Sequence, residues 1–147
     1  PASVRVRMQR IARPSLAIQP ESDDLADVAQ WVSGNTGADT LLVVPPQWGQ
    51  MRLLARRALV ADFKALPSGE ADVLAWRNRL RDCYGQWESA GFAAAAEMDA
   101  GYHAITDMQL SALRQRYGAD YAVVYVGAPV SGDTLFATGG VRVVALH

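Results

Sequence analysis

Apolar residues along the chain follow two periods. Leu25, Val28, Ala29 and Val32 recur every three or four residues, the spacing that lines one face of an α-helix. Ser22-Asp23-Asp24 offers a capping side chain and acidic residues suited to the positive helix end, so a helix is predicted from there through Trp31. Gly34-Asn35-Thr36-Gly37 stops it, because glycine and asparagine tolerate left-handed backbone angles. Thr40-Leu41-Leu42-Val43-Val44 is almost wholly apolar and β-rich, which suits a strand covered on both faces and ended by Pro45-Pro46. Gly49 to Arg57 predicts a short crossover helix, and Ala58-Leu59-Val60-Ala61 a second buried strand. Ser68-Gly69-Glu70 opens a longer helix with Val73, Leu74, Trp76, Arg77 and Leu80 along it, ending near Tyr84-Gly85. A further helix is predicted over Gln86 to Met98, ending before Gly101. Thr106 caps another, with Met108, Leu110 and Leu113, that stops at Tyr117-Gly118. Tyr121 to Val126 reads as a third buried strand. After a Gly-, Pro- and Ser-rich loop (Gly127 to Gly132), Thr134 to Thr138 and Val141 to Leu146 form a hairpin about Gly139-Gly140.

Strands alternating with helices imply an α/β fold: a three-layer sandwich with a small, mainly parallel sheet, helices on both faces, and a C-terminal antiparallel hairpin at one edge. Residues 1–20, with Pro14 and Pro20 and no sustained period, read as an extended lead-in, and residues 21–147 as one α/β domain.

Composition narrows the function classes. The 147 residues are 50% hydrophobic and 20% charged, ordinary for a globular domain. A formal net charge of -1 offers no overall basic excess, so nucleic acid is not an expected partner. The lead-in is locally basic through Arg5, Arg7, Arg10 and Arg13, which suits either a solvated terminus or a segment drawn to anionic headgroups. The single cysteine, Cys83, cannot close an intrachain disulfide. No apolar run approaches the roughly 20 residues of a membrane helix. The start at Pro1 without an initiator methionine, and the end just after a strand-like run, predict a piece of a longer protein.

Several chemistries lack their motifs. Gly34, Gly37 and Gly49 do not have the spacing of a dinucleotide or P-loop fingerprint. His103 and His147 are far apart and form no metal-ligand cluster with the lone cysteine, so no metal and no cofactor is expected. No G-x-S-x-G elbow precedes a helix, and Ser131 reads as a turn residue. What remains is the rim outside the carboxyl ends of the strands, where open parallel sheets bind ligands. Gln47 and Trp48 follow the first strand, and Asp62 and Lys64 the second. Asp62 and Lys64, two apart in an extended segment, point the same way. They form either a surface ion pair or a site for a charged or hydroxylated group. Trp48 faces either a cleft or the core, whereas Trp31, Trp76 and Trp87 lie in helices and are expected to plug the core. Arg57, just before the second strand, starts near the opposite rim.

The run "WVSGNTGADTLLVVPPQW", followed by "RRALVADFKALP" and "WRNRL", resembles the soluble C-terminal region of large bacterial multi-spanning membrane proteins related to the C-superfamily glycosyltransferases, a region without assigned activity. The resemblance rests on Trp31, Asn35, Thr36, Asp39, Pro45, Pro46, Arg57, Asp62, Lys64, Pro67, Trp76 and Arg79, with Gly37 in place of the usual proline. It spans residues 22–85 well and the closing strands loosely. It implies a non-catalytic extracytoplasmic (periplasmic) domain of a polytopic membrane protein. Such a domain would assist acceptor or carbohydrate binding or pack on the membrane part. Its partners would be the membrane-spanning part of the same protein and a carbohydrate or lipid-linked sugar, and its candidate binding residues Gln47, Trp48, Arg57, Asp62 and Lys64. The alternatives are a free-standing doubly wound small-molecule module with its cleft near Trp48, or a small enzyme using the Asp62/Lys64 rim.

Overall fold

A computed structural model describes residues 20–147, so the basic lead-in lies outside the described residues except for Pro20. Helix α1 spans Pro20–Asn35. It opens on proline, whose missing N–H would have no intrahelical partner at that position. Strand β1 is Leu41–Val43, helix α2 Met51–Ala55 and strand β2 Ala58–Leu59. Helices α3 (Glu70–Tyr84), α4 (Gly91–His103) and α5 (Asp107–Tyr117) follow, then β3 (Tyr121–Tyr125), β4 (Thr134–Thr138) and β5 (Val141–Ala145).

The five strands form one open sheet in the order β2-β1-β3-β5-β4. β1 pairs in parallel with β2 and β3, while β5 pairs antiparallel with β3 and β4, so the sheet is mixed. The C-terminal hairpin occupies one edge, with β5 inserted between β3 and the outer strand β4. Successive residues of the inner strands face opposite layers. Leu42, Val44, Val123 and Val143 pack with Leu25, Val28 and Val32 of α1 and Met51 and Ala55 of α2. Val43, Ala122, Val124 and Val144 pack with Leu80 and Tyr84 of α3, Met98 and Tyr102 of α4, and Leu110 and Leu113 of α5. The apolar runs in β1 and β3 are continuous because both faces are covered, which gives the three-layer α/β arrangement.

The second strand departs from the continuous buried run that its composition suggests. β2 has two residues, lies at a sheet edge and exposes Ala58, and only Val60 and Ala61, beyond it, are buried. The helix expected over Gln86 to Met98 starts five residues later and runs through Gly101. Before it, the Glu97 carboxylate accepts the main-chain N–H groups of Glu88 and Ser89 and holds that segment out of the helix. Gly101 continues the helix because its bare backbone packs on α3, and a Cβ there would overlap the Tyr84 carbonyl oxygen. Met108 and Leu74 turn outward, leaving the inner faces of α5 and α3 to Leu110 and Leu113 and to Leu80, Cys83 and Tyr84. The expected Thr106 cap is present at α5, where it forms a capping box: Thr106 Oγ accepts from the Gln109 N–H at 3.3 Å, and the Gln109 side chain accepts from the Thr106 N–H at 2.9 Å. Among the described residues no helix is long and apolar enough to cross a membrane.

Candidate functional site

β1 and β3 are parallel neighbours whose chains leave in opposite directions, β1 to β2 and β3 to β5. The gap beyond their carboxyl ends is where an open α/β sheet ordinarily holds a ligand. Here protein fills it. The last β1–β3 pair is Val43↔Ala122, so the carbonyls of Val44 and Val123 lie past the ladder. Buried backbone carbonyls need partners. The Tyr84 hydroxyl donates to Val44 at 2.7 Å and the Tyr102 hydroxyl to Val123 at 2.6 Å. Both rings are buried and meet edge-to-face with centroids 5.5 Å apart. Burial pushes both hydroxyls well above the ordinary tyrosine range, so they remain protonated donors.

The open groove sits to one side, at the β1–β2 end of the same rim. It measures about 180 Å³ and is lined by Gln47, Gly49, Gln50, Arg52, Leu53, Asp62, Lys64 and Ala65. Each part follows from local structure. Pro45 and Pro46 end β1 and turn Gln47 outward, where it is exposed. The turn Pro45–Trp48 closes with Trp48 N–H donating to Pro45 at 3.0 Å, and α2 starts at once, bringing Arg52 to the groove. Asp62 follows β2 with its side chain 13% exposed. One carboxylate oxygen accepts the Lys64 main-chain N–H at 3.1 Å and the other lies 3.7 Å from the Arg52 guanidinium. Its own carbonyl accepts from the Trp76 indole at 2.8 Å, which ties the strand end to α3. Gly49 lets the backbone approach this carboxylate: a Cβ there would sit 2.6 Å from it.

The five residues singled out from sequence therefore separate. Gln47, Asp62 and Lys64 share the groove. Asp62 pairs with Arg52, and among the described residues no carboxylate lies in ion-pair range of the Lys64 ammonium. Trp48 turns inward and is buried against the α1 and α2 side of the sheet. Arg57 lies at the opposite, amino-end rim. Its guanidinium donates to Thr36 Oγ at 3.0 Å and to the carbonyls of Thr36 at 2.8 Å, Ser33 at 3.2 Å, Ala55 at 3.1 Å and Arg56 at 3.0 Å. It clamps the end of α1 to the α2–β2 turn.

Sequence reasoning missed Arg52, although a helix beginning right after a strand end must put its first turn on that rim. It also missed a polar cluster at the carboxyl end of β3. Asp99 accepts a short hydrogen bond from the Tyr125 hydroxyl and lies 3.3 Å from His103, whose ring stacks on Tyr125 at 3.7 Å and 6°. The spacing of Asp99 and His103, one helical turn apart, was the available signal. Ser131 donates its hydroxyl to Asp107 at 2.8 Å and its N–H to the same carboxylate at 3.0 Å, which pins the loop before β4 to the start of α5. Among the described residues no group of three or more His, Cys, Asp or Glu side chains could hold a metal ion.

Residues 23–83 are similar to a domain of unknown function (DUF6798), a match that runs from α1 to the end of α3 and contains Gln47, Trp48, Arg57, Asp62 and Lys64. No curated protein and no solved structure matches the chain.

Proposed function

We propose that the chain is a non-catalytic, extracytoplasmic ligand-binding domain of a polytopic membrane protein related to glycosyltransferases, and that its groove at Gln47, Gln50, Arg52, Asp62 and Lys64 takes a carbohydrate-type ligand. The groove carries the reading: a pre-oriented, mostly buried carboxylate beside two outward amides and two cations is a hydrogen-bonding set suited to a polyol. The extracytoplasmic and membrane parts of the proposal rest on the resemblance to the soluble region of glycosyltransferase-related membrane proteins, carried by Trp31, Asn35-Thr36, Pro45-Pro46, Arg57, Asp62-x-Lys64 and Trp76. The tyrosine plug argues against the alternative of a doubly wound module with a central cleft at Trp48, since both the cleft and that tryptophan are buried.

The test is an amide NMR titration of the labelled chain with a panel of neutral and N-acetylated hexoses. Shifts are expected at Gln47, Gln50, Arg52 and Lys64. A charge-assisted bond donated by a sugar hydroxyl to the Asp62 carboxylate predicts about tenfold or greater loss of affinity in Asp62→Asn. Absence of shifts across the panel would sink the ligand assignment. A reading frame without membrane helices upstream of Pro1 would sink the membrane assignment.

A further inference from the structure

The sheet is open at its β4 edge. β4 is the last strand in the order β2-β1-β3-β5-β4, so among the described residues it pairs on one side only. In an antiparallel ladder alternate residues turn both main-chain groups away from the neighbouring strand. The two-residue turn at Gly139-Gly140 closes on the pair Thr138–Val141, so at the next pair the N–H and C=O of Ala137 face the open side. Edge strands are ordinarily blunted by charge, proline or a bulge. Thr134-Leu135-Phe136-Ala137-Thr138 has no charge and no proline, and its one irregularity is the register shift at Leu135. The two faces beside this edge differ. On the α1 side Trp31 stacks on Phe136 with centroids 5.8 Å apart, and a groove of about 610 Å³ lies between Gln30 and Trp31 of α1 and Phe136 and Thr138 of β4. On the opposite side Thr134 and Ala137 are exposed. A strand added here would have one face against α1 and one in water, which calls for alternating apolar and polar residues.

The lead-in, outside the described residues, contains one such run. Val4-Arg5-Val6-Arg7-Met8 alternates apolar and charged, too briefly for a sustained period but over the same five-residue length as β4. The chain also enters α1 at the right place. α1 runs antiparallel to β4: Asp24 lies against Gly139 and Gly140, Asp27 accepts from the Thr138 hydroxyl at 3.2 Å, and Trp31 meets Phe136. Pro20 therefore sits toward the hairpin end of β4. The eleven residues from Gln9 to Gln19 reach up to about 36 Å, roughly twice the ~17 Å of a five-residue strand, so the run can lie along β4 in either direction. Charge favours the same approach. The lead-in holds four of the 14 basic residues and none of the 15 acidic ones, and it joins the domain at Asp23, Asp24 and Asp27. A tethered segment meets the edge at a far higher local concentration than a second molecule does. We propose that Val4–Met8 pairs with β4 as a sixth strand. Its main chain satisfies Ala137, Val4, Val6 and Met8 lie on the Trp31–Phe136 side, and Arg5 and Arg7 stay in water. No residue of the Asp62 groove takes part, so failure of either reading leaves the other standing.

The test is NMR of the full chain. Cross-strand NOEs are expected between residues 4–8 and 134–138, and in a mixture of labelled and unlabelled chain they should stay within one molecule. The Ala137 amide should exchange slowly with solvent. Val4→Asp/Val6→Asp removes the apolar face and should speed that exchange about tenfold or more, while the amides of β3 stay protected. Val4→Ile/Val6→Ile should hold the exchange within about twofold of the parent. Absence of the NOEs, or NOEs only between molecules, which would put a second copy on the edge, would overturn the proposal. So would an Ala137 amide exchanging at the unprotected rate, an aspartate variant within about twofold of the parent, or an isoleucine variant as fast as the aspartate one. The NOEs come from the unaltered chain, so they decide the matter even if a variant fails to fold.

Discussion

Arg57 offers the sharpest test of whether a site residue read from sequence is a ligand contact or a structural clamp. Arg57→Met keeps the aliphatic stem and removes every donor. Of the five hydrogen bonds lost, those to Thr36 Oγ, the Thr36 carbonyl and the Ala55 carbonyl are part-buried, and those to Ser33 and Arg56 are exposed. Water replaces the exposed pair at little cost. Hydrogen bonds from a charged donor contribute about 1.5–3 kcal/mol when buried. Discounted to about 1 kcal/mol each for partial exposure, the three part-buried bonds give a loss of about 2–3 kcal/mol. For a chain of this size that is a fall in Tm of about 5–10 °C. Arg57→Lys keeps the charge but not the planar fork and should lose about half as much. Urea denaturation followed by circular dichroism measures both. A stability for Arg57→Met within about 0.5 kcal/mol of the parent would refute the clamp, and weakened saccharide binding in a variant of unchanged stability would return Arg57 to the ligand site.

Further outcomes follow from the packing. Gly101→Ala should destabilise by about 1–3 kcal/mol through overlap with the Tyr84 carbonyl, although the same change in an open helix would stabilise by up to about 1 kcal/mol. A stabilised variant in thermal melts would show that α3 and α4 do not pack so closely. Tyr84 and Tyr102 have folded pKa values raised by burial above the ordinary 10.0, so the unfolded chain loses those protons first and stability falls as pH rises past about 10, by up to about 1.4 kcal/mol per pH unit for each group. Tyr102→Phe should cost about 1–3 kcal/mol at neutral pH by stranding the Val123 carbonyl and should flatten that alkaline decline, and an unchanged slope would count against the burial. Burial likewise pushes the Cys83 thiol up, so a disulfide reagent should react at the rate of unfolding, and rapid labelling of the native chain would contradict its place in the core.

The elements that local chemistry controls were legible in the sequence. The α1 stripe of Leu25, Val28, Ala29 and Val32, the doubly apolar β1 and β3, the Thr106 cap and the Gly139-Gly140 hairpin each depend on neighbours a few residues away, and each is found where its pattern points. So was the gathering of Gln47, Asp62 and Lys64 on one rim, because parallel strands deliver their following residues to the same end. Tertiary structure decided the rest. Apolar character alone does not tell an edge strand from a central one, so β2 looked as buried as β1. Gly101 reads as a stop signal in isolation and becomes a contact point only when α3 lies against it. Trp48 and Arg57 were ambiguous because an indole serves a core or a cleft, and a guanidinium serves a ligand or helix carbonyls, equally well. Tyr84 and Tyr102 lie 40 and 21 residues from the carbonyls they satisfy, and that distance along the chain hides from sequence why the central crevice is closed and the groove displaced to its side.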